Sequence, residues 1–83
     1  MLTEFGELAR RLWTDRNLAA KQVAHKMGIS ISHISEVLHG RRNPTPYFVR
    51  SMCTALKLSS DEEVQLHTVA ARMVGYVIRP FNG

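Results

Sequence analysis

Between residues 30 and 43 the chain concentrates side chains that can exchange hydrogen bonds and charge with a partner. Ser32, Ser35, Glu36 and His39 recur at i, i+3, i+4 and i+7, the spacing that gathers four groups on one face of a helix. Hydroxyls donate and accept and a carboxylate accepts, so this stripe suits recognition of a polar surface. Arg41, Arg42 and Asn43 follow directly, and Lys21 and Gln22 stand a short distance ahead. Bond-making chemistry is harder to find. No Ser/His/Asp arrangement, pocketed carboxylate pair or glycine-rich phosphate loop is legible, and a core this small leaves little room for a substrate cavity, which excludes an enzyme. His25, His33, His39 and His67 come at spacings of 8, 6 and 28 with no Cys or acid placed to complete a tetrahedral site, so neither a metal nor any other cofactor is expected.

Charge sharpens the point. Residues 1 to 20 balance Arg10, Arg11 and Arg16 against Glu4, Glu7 and Asp15, and residues 58 to 83 carry a net −1. Residues 21 to 57 hold Lys21, Lys26, Arg41, Arg42, Arg50 and Lys57 against Glu36 alone, a net +5 that exceeds the +4 of the whole chain. A positive field confined to the middle third points to a polyanionic partner.

The elements that position these groups read as helices. Eighty-three residues, 45% of them apolar, suffice for one domain and no second. The longest apolar stretch, Met73 to Ile78, falls far short of the roughly 20 residues that span a bilayer. With no basic leader ahead of an apolar region, and with the single Cys53 unable to form an internal disulfide, the chain reads as soluble and cytoplasmic, with no membrane partner. Thr3 caps a first helix carrying Phe5, Leu8, Ala9 and Leu12 and ending near Asn17. A second, about 19 to 27, buries Val23, Ala24 and Met27 and stops at Gly28. Ser30 caps a third, about 31 to 39, which stops at Gly40. Thr45 and Pro46 open a fourth with Val49, Met52, Cys53 and Leu56 inward. A capping box, Ser60 with Glu63 or Ser59 with Glu62, opens a fifth that runs to about Val74, with Leu66, Val69, Ala70, Met73 and Val74 inward. Trp13 lies off the main stripe of the first helix and is free to cover the last helix or a partner.

Helices two and three, joined by Gly28-Ile29-Ser30, must cross steeply and pack closely, with Ala24 as the small residue at the contact and Gly28 at a positive φ. That is the pattern of a helix-turn-helix. In such a unit the outward face of the second helix enters the DNA major groove. Ser32, Ser35 and Glu36 then meet base edges, Glu36 accepting from a cytosine amino group, and Ile31 either touches a thymine methyl or packs beside Leu38. Lys21, Gln22, Ser30, His33, His39, Arg41, Arg42 and Asn43 fall to the phosphate backbone, which sets orientation and salt-dependent affinity.

From Phe5 to Leu58 the chain resembles the helix-turn-helix domains of phage repressors and Cro proteins, the Xre type. The resemblance is carried by Phe5-Gly6-Glu7-Leu8, Gln22-Val23-Ala24, Gly28-Ile29-Ser30, Ile34-Ser35-Glu36-Val37, Gly40-Arg41-Arg42-Asn43-Pro44 and Ala55-Leu56. It implies an all-α, lambda-repressor-like bundle of five helices that binds double-stranded operator DNA as a homodimer and represses transcription in a prokaryotic or phage-infected cell. It matches Ile31, Ser32 and Glu36 to base contacts and His39, Arg41 and Arg42 to backbone contacts. Some positions depart from the pattern. Ala19 and Ala20 replace the usual hydroxyl cap and phosphate-touching Gln, Leu38 stands where Glu is common, Lys57 stands where Gly or Asn usually ends helix four, and the base-reading set lacks Gln or Arg.

Residues 1 to 75 read as the domain and residues 76 to 83 as a tail. Tyr76, Val77, Ile78 and Phe81 make that tail apolar and extended. It either pairs with the tail of a second subunit, the preferred reading because a palindromic operator needs a two-fold dimer, or folds back on helices one and five. An alternative function is an antitoxin-like interaction module whose tail and fifth helix bind a partner protein, with or without autorepression.

Overall fold

Short-range hydrogen bonding sets out five helices, α1 (Glu4–Thr14), α2 (Ala20–Met27), α3 (Ile31–Leu38), α4 (Pro46–Leu56) and α5 (Ser60–Val74). The computed structural model describes residues 1–74, so Tyr76, Val77, Ile78 and Phe81, expected to dimerise, lie outside the described residues. Hydroxyl caps start four of the five. Thr3, Ser30 and Thr45 accept from the backbone N–H three residues on, in Gly6, His33 and Phe48. Of the two capping boxes open to α5, the chain uses Ser59 with Glu62: the Glu62 N–H donates to Ser59 Oγ at 3.2 Å and the Ser59 N–H to Glu62 Oε1 at 2.9 Å. Each such cap stabilises its helix by about 1 kcal/mol. Helix α2 starts at Ala19, which has no side chain to cap with, and Gln22 Oε1 supplies half a box by accepting from the Ala19 N–H at 2.8 Å.

The stops are left-handed residues at Asn17, Gly28, Gly40 and Lys57. Gly28, at φ +71°, makes the turn between α2 and α3 that a side chain would strain. Lys57, at φ +55°, bears that strain.

Apolar stripes from all five helices meet in one core, with Phe5, Val23, Val37, Val49, Met52 and Leu66 shut off from solvent. Helix α1 packs against α2, α3 and α5, and α4 packs against α2 and α5. Because α1 has neighbours on several sides its apolar arc is wide, and Trp13, expected beyond the stripe, is buried. Met27, Met73 and Val74, expected inside, are only half-buried. Cys53 is buried, and burial, reinforced by the charge of Glu63, pushes its thiol up to about 11 against a weaker opposing backbone hydrogen bond. It is a small core residue.

Helices α1 and α3 approach closely at Gly6. A Cβ at Gly6 would collide with the Leu38 carbonyl, so only glycine allows the two helices to meet there. Leu38 O accepts from both the N–H and the Oγ1–H of Thr3, at 3.0 and 3.1 Å. One threonine thus caps α1 and ties down a terminal carbonyl of α3.

Candidate nucleic-acid interface

Helix α3 turns Ile34, Val37 and Leu38 into the core, which leaves the opposite face outward by helical geometry. Ser32 and His39 are exposed there, with Ser35 and Glu36 half-buried beside them. Ile31 is 51% exposed and is not among the side chains packed on the core, though it borders the same depression as Leu38. A large aliphatic side chain left half in water at a helix start is available to an apolar partner group. A shallow depression of about 440 Å³, lined by Ala20, Ile31, Ser32, Ser35 and His39 among others, runs between α3 and the start of α2.

Cations flank this face. Lys21 and Gln22 are exposed at the start of α2, and Arg41, Arg42 and Asn43 are exposed past the end of α3. The loop's course is set by α3 itself, because Glu36 O accepts from the N–H groups of Arg41 (2.8 Å) and Arg42 (3.2 Å). The Glu36 carboxylate also holds the Arg42 guanidinium, with Nε at 3.0 Å and Nη2 at 2.9 Å from Oε1. Arg41 has no ion-pair partner among the described residues.

Other expected groups already make contacts within the chain. Ser30 Oγ is occupied as the α3 cap, and Gln22 Oε1 by the α2 start. His33, expected to face outward, is half-buried with its ring 5.6 Å from that of Phe48 at 40°, which ties α3 to α4 by aromatic packing. His39 folds back so that Nδ1–H donates to Ser35 O at 2.9 Å, and a carbonyl can only accept, so Nε2 is the ring nitrogen turned to any partner.

Tyr47, 77% exposed in the first turn of α4, was not anticipated. It borders a hollow of about 390 Å³ together with His33, Arg42 and Asn43. Its position one residue after Pro46, off the Val49 and Met52 stripe, was the available signal. Among the described residues no cluster of three or more His, Cys, Asp or Glu could hold a metal, and no helix is long and apolar enough to cross a membrane.

A family model described as a helix-turn-helix domain matches residues 4–66, which covers α1 through α4, the α2–α3 unit and the first half of α5. The chain belongs to the helix-turn-helix family. The helix-turn-helix bundle is similar to the crystal structure of the clp gene regulator ClgR from C. glutamicum, with a TM-score of 0.67 and 23% identity over 83% of this chain and 86% of that one. A comparison with curated protein sequences finds no match. Within the motif, the turn is Gly28-Ile29-Ser30 and α3 is the second helix, the one whose outer face is free.

Proposed function

We propose that this protein is a sequence-specific, dimeric DNA-binding transcriptional regulator, a repressor of phage or mobile-element type acting on operator DNA. The observation that carries the reading is the outward face of α3, where Ile31 and Ser32 are exposed, with Ser35 and Glu36 half-buried beside them, between exposed Lys21 on one side and exposed Arg41 and Arg42 on the other. Inserted in the major groove, the N-terminal residues of such a helix lie nearest base edges: the serine hydroxyls donate or accept, and Ile31 contacts a thymine methyl. Lys21, Arg41, Arg42, Asn43 and His39 face phosphates, and Gln22, Ser30 and His33 support that contact mainly by holding the ends of α2 and α3 in place.

Dimerisation through residues 76 to 83 is part of the same reading, with residues 1 to 75 as the DNA-binding unit. A two-fold pair would set two α3 helices one DNA turn apart, about 34 Å, on a palindromic site. Anisotropy titration against the protein's own upstream intergenic DNA and an unrelated duplex, each at two salt concentrations, tests the function. Preference for its own DNA of about 1000-fold is expected. Equal, steeply salt-dependent binding to both would overturn operator reading, and no binding to either would turn attention to the antitoxin-like alternative.

A further inference from the structure

A carboxylate is an odd neighbour for phosphates. Glu36 is the one acid between residues 21 and 57, and it sits at the edge of the face proposed to meet DNA. Read in isolation, it either accepts from a cytosine amino group or repels the nearby backbone. Its surroundings point elsewhere. Both contacts from Arg42 fall on Oε1, a hydrogen bond from Nε at 3.0 Å and an ion-pair contact from Nη2 at 2.9 Å. The Glu36 carbonyl receives the N–H groups of Arg41 and Arg42. One residue thus fixes the basic loop at both its backbone and its side chain.

We propose that Glu36 is a positioning residue that acts through Arg42, holding its guanidinium beyond the C-terminal end of α3 for a DNA phosphate, and that it does not read a base itself. This rests on the DNA-binding reading above. A guanidinium has five N–H donors in a rigid fork. With Nε–H bonded to Oε1 and Nη2 in ion-pair contact with it, the end of the fork, Nη1 with Nη2, remains as a two-donor edge that fits the two free oxygens of a phosphate. Glu36 is the sixth of eight residues in α3, whereas base edges are reached from the N-terminal end of such a helix. The side chains of Arg42 and Glu36 are 55% and 41% exposed, so the pair lies at the surface where a strand can reach it. Pre-ordering matters because an unheld arginine loses rotamer freedom when it binds.

The sign of the effect separates this role from the others. If Glu36 only repelled phosphates, removing its charge would strengthen binding. If it read a base, removing it would change base preference. A positioning role predicts weaker binding with preference unchanged, and only while Arg42 is present. The experiment titrates wild type, Glu36→Ala, Glu36→Gln, Arg42→Ala and the Glu36→Ala/Arg42→Ala double variant against the protein's own upstream duplex, single-base variants of it and an unrelated duplex. Melting temperatures serve as a folding control. Glu36→Ala is expected to weaken binding to every duplex by about three- to fivefold, and the double variant to bind no more weakly than Arg42→Ala. Glu36→Gln keeps an oxygen for the Nε–H and is expected within about twofold of wild type. Tighter binding by Glu36→Ala, a changed base preference, or additive losses in the double variant would each overturn the proposal while leaving DNA binding intact. Absence of DNA binding in the wild type would overturn the functional reading and this inference together.

Discussion

Arg16 and Arg42 carry the same guanidinium into opposite halves of the molecule. Arg16 is turned inward at the junction of α1, α4 and α5: Nε donates to Leu56 O at 2.9 Å, Nη1 to Leu12 O at 3.0 Å and Nη2 to Glu62 Oε1 at 2.7 Å. It ends two helices by satisfying carbonyls that their own backbones cannot, and it reaches the cap of a third. Arg42, at the far side, touches a single carboxylate oxygen and leaves the rest of its fork open. Arg41 beside it has no ion pair among the described residues. The contrast shows how a small bundle divides its cations. Where donors are matched by carbonyls the charge builds structure, and where they are left open the charge is available to a partner.

The largest expected effect lies on the structural side. Gly6→Ala puts a Cβ into the Leu38 carbonyl and forces α1 away from α3. A loss of about 3 kcal/mol or more is expected, read by thermal unfolding. Gly28→Ala is the matched control, because nothing lies within 4 Å of its Cβ and only the φ of +71° is unfavourable, so about 1 to 2 kcal/mol is expected. Equal losses at the two sites would mean that the α1–α3 approach is looser than the geometry requires.

Next come the arginines themselves. Arg16→Met keeps the aliphatic stem but strands the Leu56 and Leu12 carbonyls, and about 2 kcal/mol of stability should go. Arg42→Met should leave stability within about 0.5 kcal/mol, as an exposed pair contributes little. Its signature is in binding, with weaker affinity for all duplexes and a salt slope lower by about one unit. A stability loss at Arg42 as large as at Arg16 would break the division between the two regions.

The two regions were not equally legible in the sequence. The caps at Thr3, Ser30 and Thr45, the stops at Asn17, Gly28 and Gly40 and the polar stripe on α3 all depend on groups within about one helical turn, and local spacing carries that information. The structural junction depends on residues far apart in the chain. Gly6 as a contact point requires knowing that Leu38 lies over it, and Arg16, read only as a charge, shows its role once the ends of α1 and α4 come together. His33 is the same case on the interface side, since the Phe48 ring that packs beside it comes from α4. Helical periodicity left Trp13 free to cover the last helix or a partner, and its burial in the chain's own core depends on α1 having three neighbours, which one stripe does not show.

A smaller effect is expected from Lys57. It ends α4 in a left-handed conformation at φ +55°, and glycine adopts that φ without the Cβ conflict. Lys57→Gly should raise stability by about 0.5 kcal/mol, since relief of strain is partly offset by the greater freedom of the unfolded chain. The substitution also removes a cation outside the α3 face, so DNA affinity should hardly change.

The smallest effect concerns acid, and it lies wholly on the structural side. Burial pushes the His67 imidazole below its ordinary value of 6.5, with Glu63 opposing and Arg50 adding to the shift. The unfolded chain therefore takes up a proton at a pH where the native one does not, so stability is full above the ordinary value and falls as pH drops through it. Glu62 acts in the same direction at lower pH. The Ser59 N–H and then Arg16 hold its carboxyl below the usual 4.5, so its contribution is present above that value and is lost as pH falls through the depressed one. Melting temperature followed from about pH 7.5 downward should thus decline in two stages. His67→Gln should remove the upper stage and leave the lower, while Glu62→Gln should do the reverse. If His67→Gln left the upper stage unchanged, that stage would not come from His67.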